Sequence, residues 1–244
     1  MVLYSFKNYK FQNIENLKKI SDCIFQSFSD ENLSIRVFAC ICAPSFFGNK
    51  EIKPSIDEHI SKILSIYITL MNEIEIEEIL ISLEHIIQHF NEKIKDYVVD
   101  LTKILVDRFH KLCKVDDEST TSNSLLVKEG LIKTLFSIIS IFRKQENLFN
   151  QIYEHVREII FFGFTDEGIE NFEETVDLIH AILKEEDKIY PKVWEFYIPI
   201  LESIVGTEED IAQAKLKNPD SIFIGYGFDS IETIITNILL FITK

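Results

Sequence analysis

Glycine and proline are scarce in this 244-residue chain, at 7 and 5 respectively. An all-β protein needs many tight turns, and turns draw heavily on those two residues, so the shortage argues against one. Four cysteines, Cys23, Cys40, Cys42 and Cys113, are too few and too unevenly spaced for a secreted disulfide framework. Basic residues are also in short supply: 25 Lys and Arg face 40 Asp and Glu, a formal net charge of -15. A phosphate backbone would repel that charge, which counts against a nucleic-acid binder. No run reaches the roughly 18 apolar residues of a membrane span, and the first ten residues hold no long apolar stretch of the signal-peptide kind. The expected setting is a reducing one, cytosol or nucleus, with no membrane insertion.

What the chain does have is apolar residues, 46% of the total, enough to bury a sizeable core and to exclude intrinsic disorder. Isoleucine is abundant and alanine scarce. Propensity alone would favour strands, but spacing is the stronger signal. Ile56, Ile60, Ile63, Leu64, Tyr67, Leu70 and Met71 form one series. Ile76, Ile79, Leu80, Leu83, Ile86, Ile87 and Phe90 form another. Further series run from Ile94 through Tyr97, from Val127 to Phe142 and from Ile169 to Leu183. Each repeats every three or four residues, one face of a helix, and alternation at period two is nearly absent.

This spacing predicts helices near 13–28, 33–46, 55–72, 75–90, 92–115, 124–144, 147–162, 168–186, 191–205, 208–216 and 230–243. Ser55-Ile-Asp-Glu58 after Pro54 has the form of a capping box; Thr207–Asp210 and Asp229–Glu232 are weaker relatives of it. Gly48, Gly163 and Gly206 fall where periodic runs give out, as helix C-termini do. The helices pair into hairpins that recur about every 35–50 residues, the range of HEAT and armadillo arrays. One hairpin cannot hide its apolar stripe alone and must bury it against the next. The expected fold is an all-α, HEAT-repeat-type solenoid of roughly five hairpins over 1–244. Asp30, Ile35, Arg36 and Ala39 fit a HEAT signature in which Asp and Arg pair along stacked repeats and the small Ala lets helices approach.

The segment Phe25-Gln-Ser-Phe-Ser-Asp-Glu-Asn-Leu-Ser-Ile-Arg-Val-Phe-Ala-Cys40 is similar to a helix-B segment of the importin-β superfamily of karyopherins, importin-seven/eight type. Ile81–Glu84, Glu129–Leu135, Asn171–His180, Pro191-Lys-Val-Trp194, Pro199 and Gly227–Asp229 follow collinearly, so the chain resembles that family over roughly residues 12–240. The stretch Gly206–Gly225 is longer than the family's connection. The resemblance implies a nuclear transport receptor, of which this would be the middle portion. It implies binding rather than catalysis, shuttling between cytoplasm and nucleus through the nuclear pore, and Ran-GTP and nucleoporins as partners of the whole receptor. It also implies basic import cargoes such as ribosomal proteins and histones. The alternative is a generic HEAT scaffold or adaptor for complex assembly.

No catalytic constellation or cofactor loop stands out, and the expectation is neither enzyme nor cofactor. Gly225-Tyr-Gly227 lacks the third glycine of a nucleotide loop. His85 and His89 share a helix face, but the order Glu-His-Ile-Ile-Gln-His is not that of a zinc protease, and no third ligand is evident. Cys40 and Cys42 point to different helix faces, which disfavours a metal knuckle; Cys23 and Cys40 read as buried apolar thiols. Trp194 reads as core or repeat-interface packing. Asn32-Leu-Ser34 matches a glycosylation acceptor, with no secretory signal to support it.

Charge is the remaining lead, and it is uneven. Residues 1–50 balance at +2, so the rest carries -17, and 146–187 hold twelve acidic residues against Arg157 and Lys184. Glu170, Glu173, Glu174 and Asp177 share a helix face opposite the apolar stripe. Asp116, Asp117 and Glu118 form a second cluster in a polar loop. Such a surface draws in basic proteins and raises their on-rate, making these seven residues the candidate cargo-binding positions.

Overall fold

A computed structural model describes residues 13–114, 122–165, 167–183 and 191–196. The fold is all-α and of the HEAT-repeat type, with no strand among the described residues. Two compact units divide the chain, Met1–Ile141 and Phe142–Lys244.

The first unit contains α1 (Ile14–Ser27), α2 (Leu33–Cys42), α3 (Pro44–Phe47), α4 (Lys53–Glu73), α5 (Glu77–His89), α6 (Asn91–Ile94), α7 (Val98–Cys113) and α8 (Ser122–Phe142). Real caps begin the first two: the Asn13 side chain accepts from the backbone of Glu15 and Asn16, and Asn32 from that of Ser34. The capping box at Ser55 does not form. Proline is comfortable in a first turn because its missing N–H has no partner there anyway. Helix α4 therefore starts at Lys53, ahead of Pro54, and Ser55 lies inside it. Pro44 acts in the opposite way. It interrupts the helix expected over 33–46, which ends at Cys42 and restarts as α3 with Pro44 in its first turn. The helix expected over 92–115 is likewise broken, at 95–97, so that Ile94 and Val98 are both fully buried while Tyr97 is exposed.

Successive hairpins stack within this unit. Helix α2 packs on α1, α5 on α2, α3 and α4, and α6 on α4 and α5. Gly130 of α8 lies against Glu77 and Leu80 of α5, where an added Cβ would be 3.0 Å from Leu80. Further along, the Ser137 hydroxyl donates to Glu84 at 2.6 Å. The offset is the same at both places, so α5 and α8 run parallel, as second helices of consecutive repeats do. The apolar series read from the sequence line the core: Ile56, Tyr67, Leu83, Ile86, Ile87, Leu131, Leu135 and Ile138 are buried. Each such side chain contributes about 1.5–3 kcal/mol relative to exposure.

Polar groups join the layers. The buried Tyr67 hydroxyl of α4 donates to the Cys40 carbonyl of α2 at 2.6 Å and also bonds Ser82 of α5, so three helices meet at one phenol. The HEAT arginine is engaged, but not as the sequence pattern anticipates. Arg36 donates to the backbone carbonyls of Asp30 (3.0 Å) and Glu31 (3.2 Å) and pairs with the Glu73 carboxylate at 2.6 Å. The Asp30 carboxylate instead accepts from the Asn32 backbone. From α7, buried Arg108 reaches Glu75 at 3.4 Å. The turn between α4 and α5 thus receives one cation from the hairpin before it and one from the helix after it.

The second unit contains α9 (Glu146–Phe162), a 3₁₀ turn at Ile169–Asn171, α10 (Phe172–Leu183) and a 3₁₀ turn at Pro191–Phe196. Helix α10 packs on α9 and on both turns. Gly163 follows α9, but its φ of -61° is ordinary right-handed helix, not a left-handed cap. Space is the reason for glycine here: an added Cβ would lie 2.3 Å from the Thr175 hydroxyl oxygen. The final turn is pinned to α9. Tyr153 donates to the Lys192 carbonyl at 2.9 Å, Lys192 pairs with Glu154, and Arg157 with Glu195 at 2.9 Å. Phe196, fully buried, sits against Tyr153 and Phe161. This register leaves Trp194 43% exposed, so Phe196 takes the core position expected for the tryptophan.

Four helix pairs, α1/α2, α4/α5, α7/α8 and α9/α10, are present among the described residues. The helices expected over 208–216 and 230–243, the cap signals at Thr207 and Asp229, and Gly206, Gly225 and Gly227 lie outside them.

Candidate functional site

Helix α10 begins with Phe172, and its apolar stripe of Phe172, Val176, Leu178, Ile179, Ile182 and Leu183 is buried. Burial of that stripe turns the remaining positions outward. Glu173 and Asp177 are exposed on the helix and Glu170 on the 3₁₀ turn before it, so the expected acidic face forms, though its first member precedes the α-helix proper. Glu173 and Glu174 occupy the first turn, where the partial positive charge of the helix N-terminus favours carboxylates. Glu174 differs from the others. It is half-buried, and its Oε2 lies out of solvent without a hydrogen-bond partner.

Among the described residues of the second unit, Arg143, Arg157 and Lys192 are engaged elsewhere. Glu154 is held below the usual carboxylate range, first by its hydrogen bond from Lys192 and then by the charges of Lys192 and Arg157. Arg143 donates to the Ala181 carbonyl at 3.2 Å. None of Glu170, Glu173, Glu174 and Asp177 is ion-paired among the described residues. Asp116, Asp117 and Glu118 lie outside the described residues.

Several sequence readings resolve here. His85 is half-buried and His89 exposed; their rings stand 6.1 Å apart, and His89 Nδ1 bonds the His85 carbonyl of its own helix. No group of metal-ligating side chains is present among the described residues. Burial pushes the Cys40 thiol up to about 12, with the Tyr67 hydrogen bond and the Arg36 charge opposing. Cys23 is exposed, contrary to expectation, because the buried stripe of α1 runs through Leu17, Ser21 and Ile24 and passes it by. A groove of about 550 Å³ opens between α1 and α4, walled by Phe25, Phe28, Ile63 and Ile66. No described helix is long and apolar enough to cross a membrane.

One surface went unread in the sequence. Phe38 of α2 is 59% exposed and Ile81 of α5 is 40% exposed. The available signal was that α2 is apolar on nearly all sides with Arg36 as its single charge, whereas a surface helix ordinarily has a polar face.

Comparison with known proteins finds similarity to three importins. An importin beta-like SAD2 homolog of Arabidopsis thaliana is 24% identical over 82% of this chain. A probable importin-7 homolog of Dictyostelium discoideum is 24% identical over 91%, and human importin-8 is 21% identical over 80%. The chain is related to the importin-β family. It spans about a fifth of the length of these relatives, at 20%, 21% and 19% of each. No protein-family profile matches the chain, and no solved structure does either. The helix-B resemblance at Phe25–Cys40 corresponds in the structure to the end of α1, the Asn32 cap and α2. The Gly130 segment, which resembles the start of an importin helix, lies inside α8, where the glycine serves contact with α5.

Proposed function

We propose that this chain is a segment of an importin-β-type nuclear transport receptor and that it binds basic protein cargo. The observation that carries this reading is the similarity to three proteins named as importins, each over four-fifths of the chain or more. The acidic face of α10 supports the choice of partner: its carboxylates are unpaired among the described residues, in a chain of net charge -15. Attraction between that face and a lysine- or arginine-rich protein speeds encounter and is screened by salt over about 8–10 Å at physiological ionic strength. Ribosomal proteins and histones are of this chemistry. Within the full receptor, Ran-GTP bound elsewhere would release the cargo by favouring another arrangement of the repeats, and the receptor would shuttle through the nuclear pore.

A histone titrated against the chain provides the test. Binding should be tight at low salt and weak at high salt. Reversal of the exposed carboxylates, Glu170→Lys with Glu173→Lys and Asp177→Lys, should weaken it about tenfold, about 1.4 kcal/mol. Glu174 is left in place because it is half-buried. Salt-independent binding, or unchanged affinity in the folded triple variant, would reject α10 as the contact.

A further inference from the structure

Helix α2 presents an apolar row to solvent. Ile35 and Phe38 are 43% and 59% exposed, and Ile41, one turn further on, is half-buried. The spacing of three residues places them on one helix face. Helix α5 continues the surface: Ile41 shares a shallow groove with Glu78, Ile81 and His85. Single exposed apolar residues are ordinary, but a row that passes from one helix to its stacked neighbour is a mark of a contact surface. Glu78 adds a carboxylate to the lining of that groove. Arg36 is drawn away to Glu73 and to two backbone carbonyls, whereas Glu78 is exposed at the edge of the groove.

We infer that the α2–α5 row docks a segment of a basic partner protein, seating one bulky apolar side chain over Phe38 and Ile81 and an adjoining lysine or arginine against Glu78. The inference rests on the reading of the chain as a receptor for basic proteins and adds an apolar anchor to it. Charge alone would attract any basic segment. The apolar row selects among them, because only a segment with the anchor removes Phe38 and Ile81 from water.

Two fluorescein-labelled basic peptides of equal charge, differing only in a central Phe or Ser, separate these effects by anisotropy with the 244-residue chain. The Phe peptide should bind about tenfold more tightly, the scale of burying one such side chain. Phe38→Ser with Ile81→Ser should abolish the preference while both peptides keep the weaker affinity. Glu78→Lys, a second exposed change, should weaken the Phe peptide more than the Ser peptide. Equal affinities in the parent chain, a preference that survives the double variant, or an equal effect of Glu78→Lys on both would overturn the proposal. So would self-association of the chain that the double variant abolishes, since the row would then be an interface between copies. The α10 triple reversal is scored separately: if it leaves both affinities unchanged, the α10 charge contact fails, and the Phe-over-Ser preference still decides the anchor.

Discussion

Two glycines at helix ends show how far a single residue's role depends on what faces it. At Gly163 a methyl would collide with the Thr175 side chain, so Gly163→Ala should destabilise the chain by about 1–3 kcal/mol in urea unfolding. At Gly48 nothing lies within 4 Å of an added Cβ and φ is -75°, so Gly48→Ala should be neutral or stabilise by up to about 1 kcal/mol. The sequence marked both as helix ends, correctly, but could not distinguish them, since the difference lies in a residue twelve positions away. The thiols divide in the same way. Exposed Cys23 should be alkylated at neutral pH well before Cys40, whose burial keeps it protonated. The Cys40 thiol is raised on folding from 9.0 to about 12. Between those values the unfolded chain has released a proton that the folded one retains, so this contribution to stability is complete below pH 9 and lost as pH rises toward 12. Tyr67, raised by the same burial, acts in the same direction. Cys40→Ala should flatten the alkaline fall in stability measured from pH 8 to pH 11.

At the scale of elements, the existence and type of the helices between 13 and 183 were legible from apolar spacing, because each helix must hide a stripe and the stripe has the helix's own period; the helix expected over 191–205 is a 3₁₀ turn where it is described, at Pro191–Phe196. Boundaries followed competing local chemistry. Ser55 looked like a cap until Pro54 moved the start of α4 past it, and Pro44 divided a helix whose apolar pattern runs on unbroken. The acidic face of α10 was readable because it is the complement of a buried stripe. The apolar row of α2 was not, because exposed and buried isoleucines look alike in sequence. The Asp30–Arg36 pattern predicted an engaged arginine and missed the acceptor, which belongs to the neighbouring hairpin. Arg36→Ala removes two bonds to carbonyls and one to a half-exposed carboxylate, and should cost about 1–2 kcal/mol in a denaturant melt. Glu73→Gln should cost less, since the carbonyl bonds remain.

For the molecule as a whole, net charge sets behaviour that no single contact does. With 40 acidic residues against 25 basic ones, association with a lysine-rich protein should slow steeply as salt is added, while dissociation changes little. Stopped-flow mixing at several ionic strengths measures the two rates separately. The importins that the chain resembles are much longer, and it matches about a fifth of their length. One feature bears on how such an array could change over generations. Between Glu73 and Glu75 stands a single residue, and the flanking carboxylates answer to arginines on opposite sides. Inserting or deleting one amino acid there would misalign both partners together, so that joint should keep its length while looser connections drift.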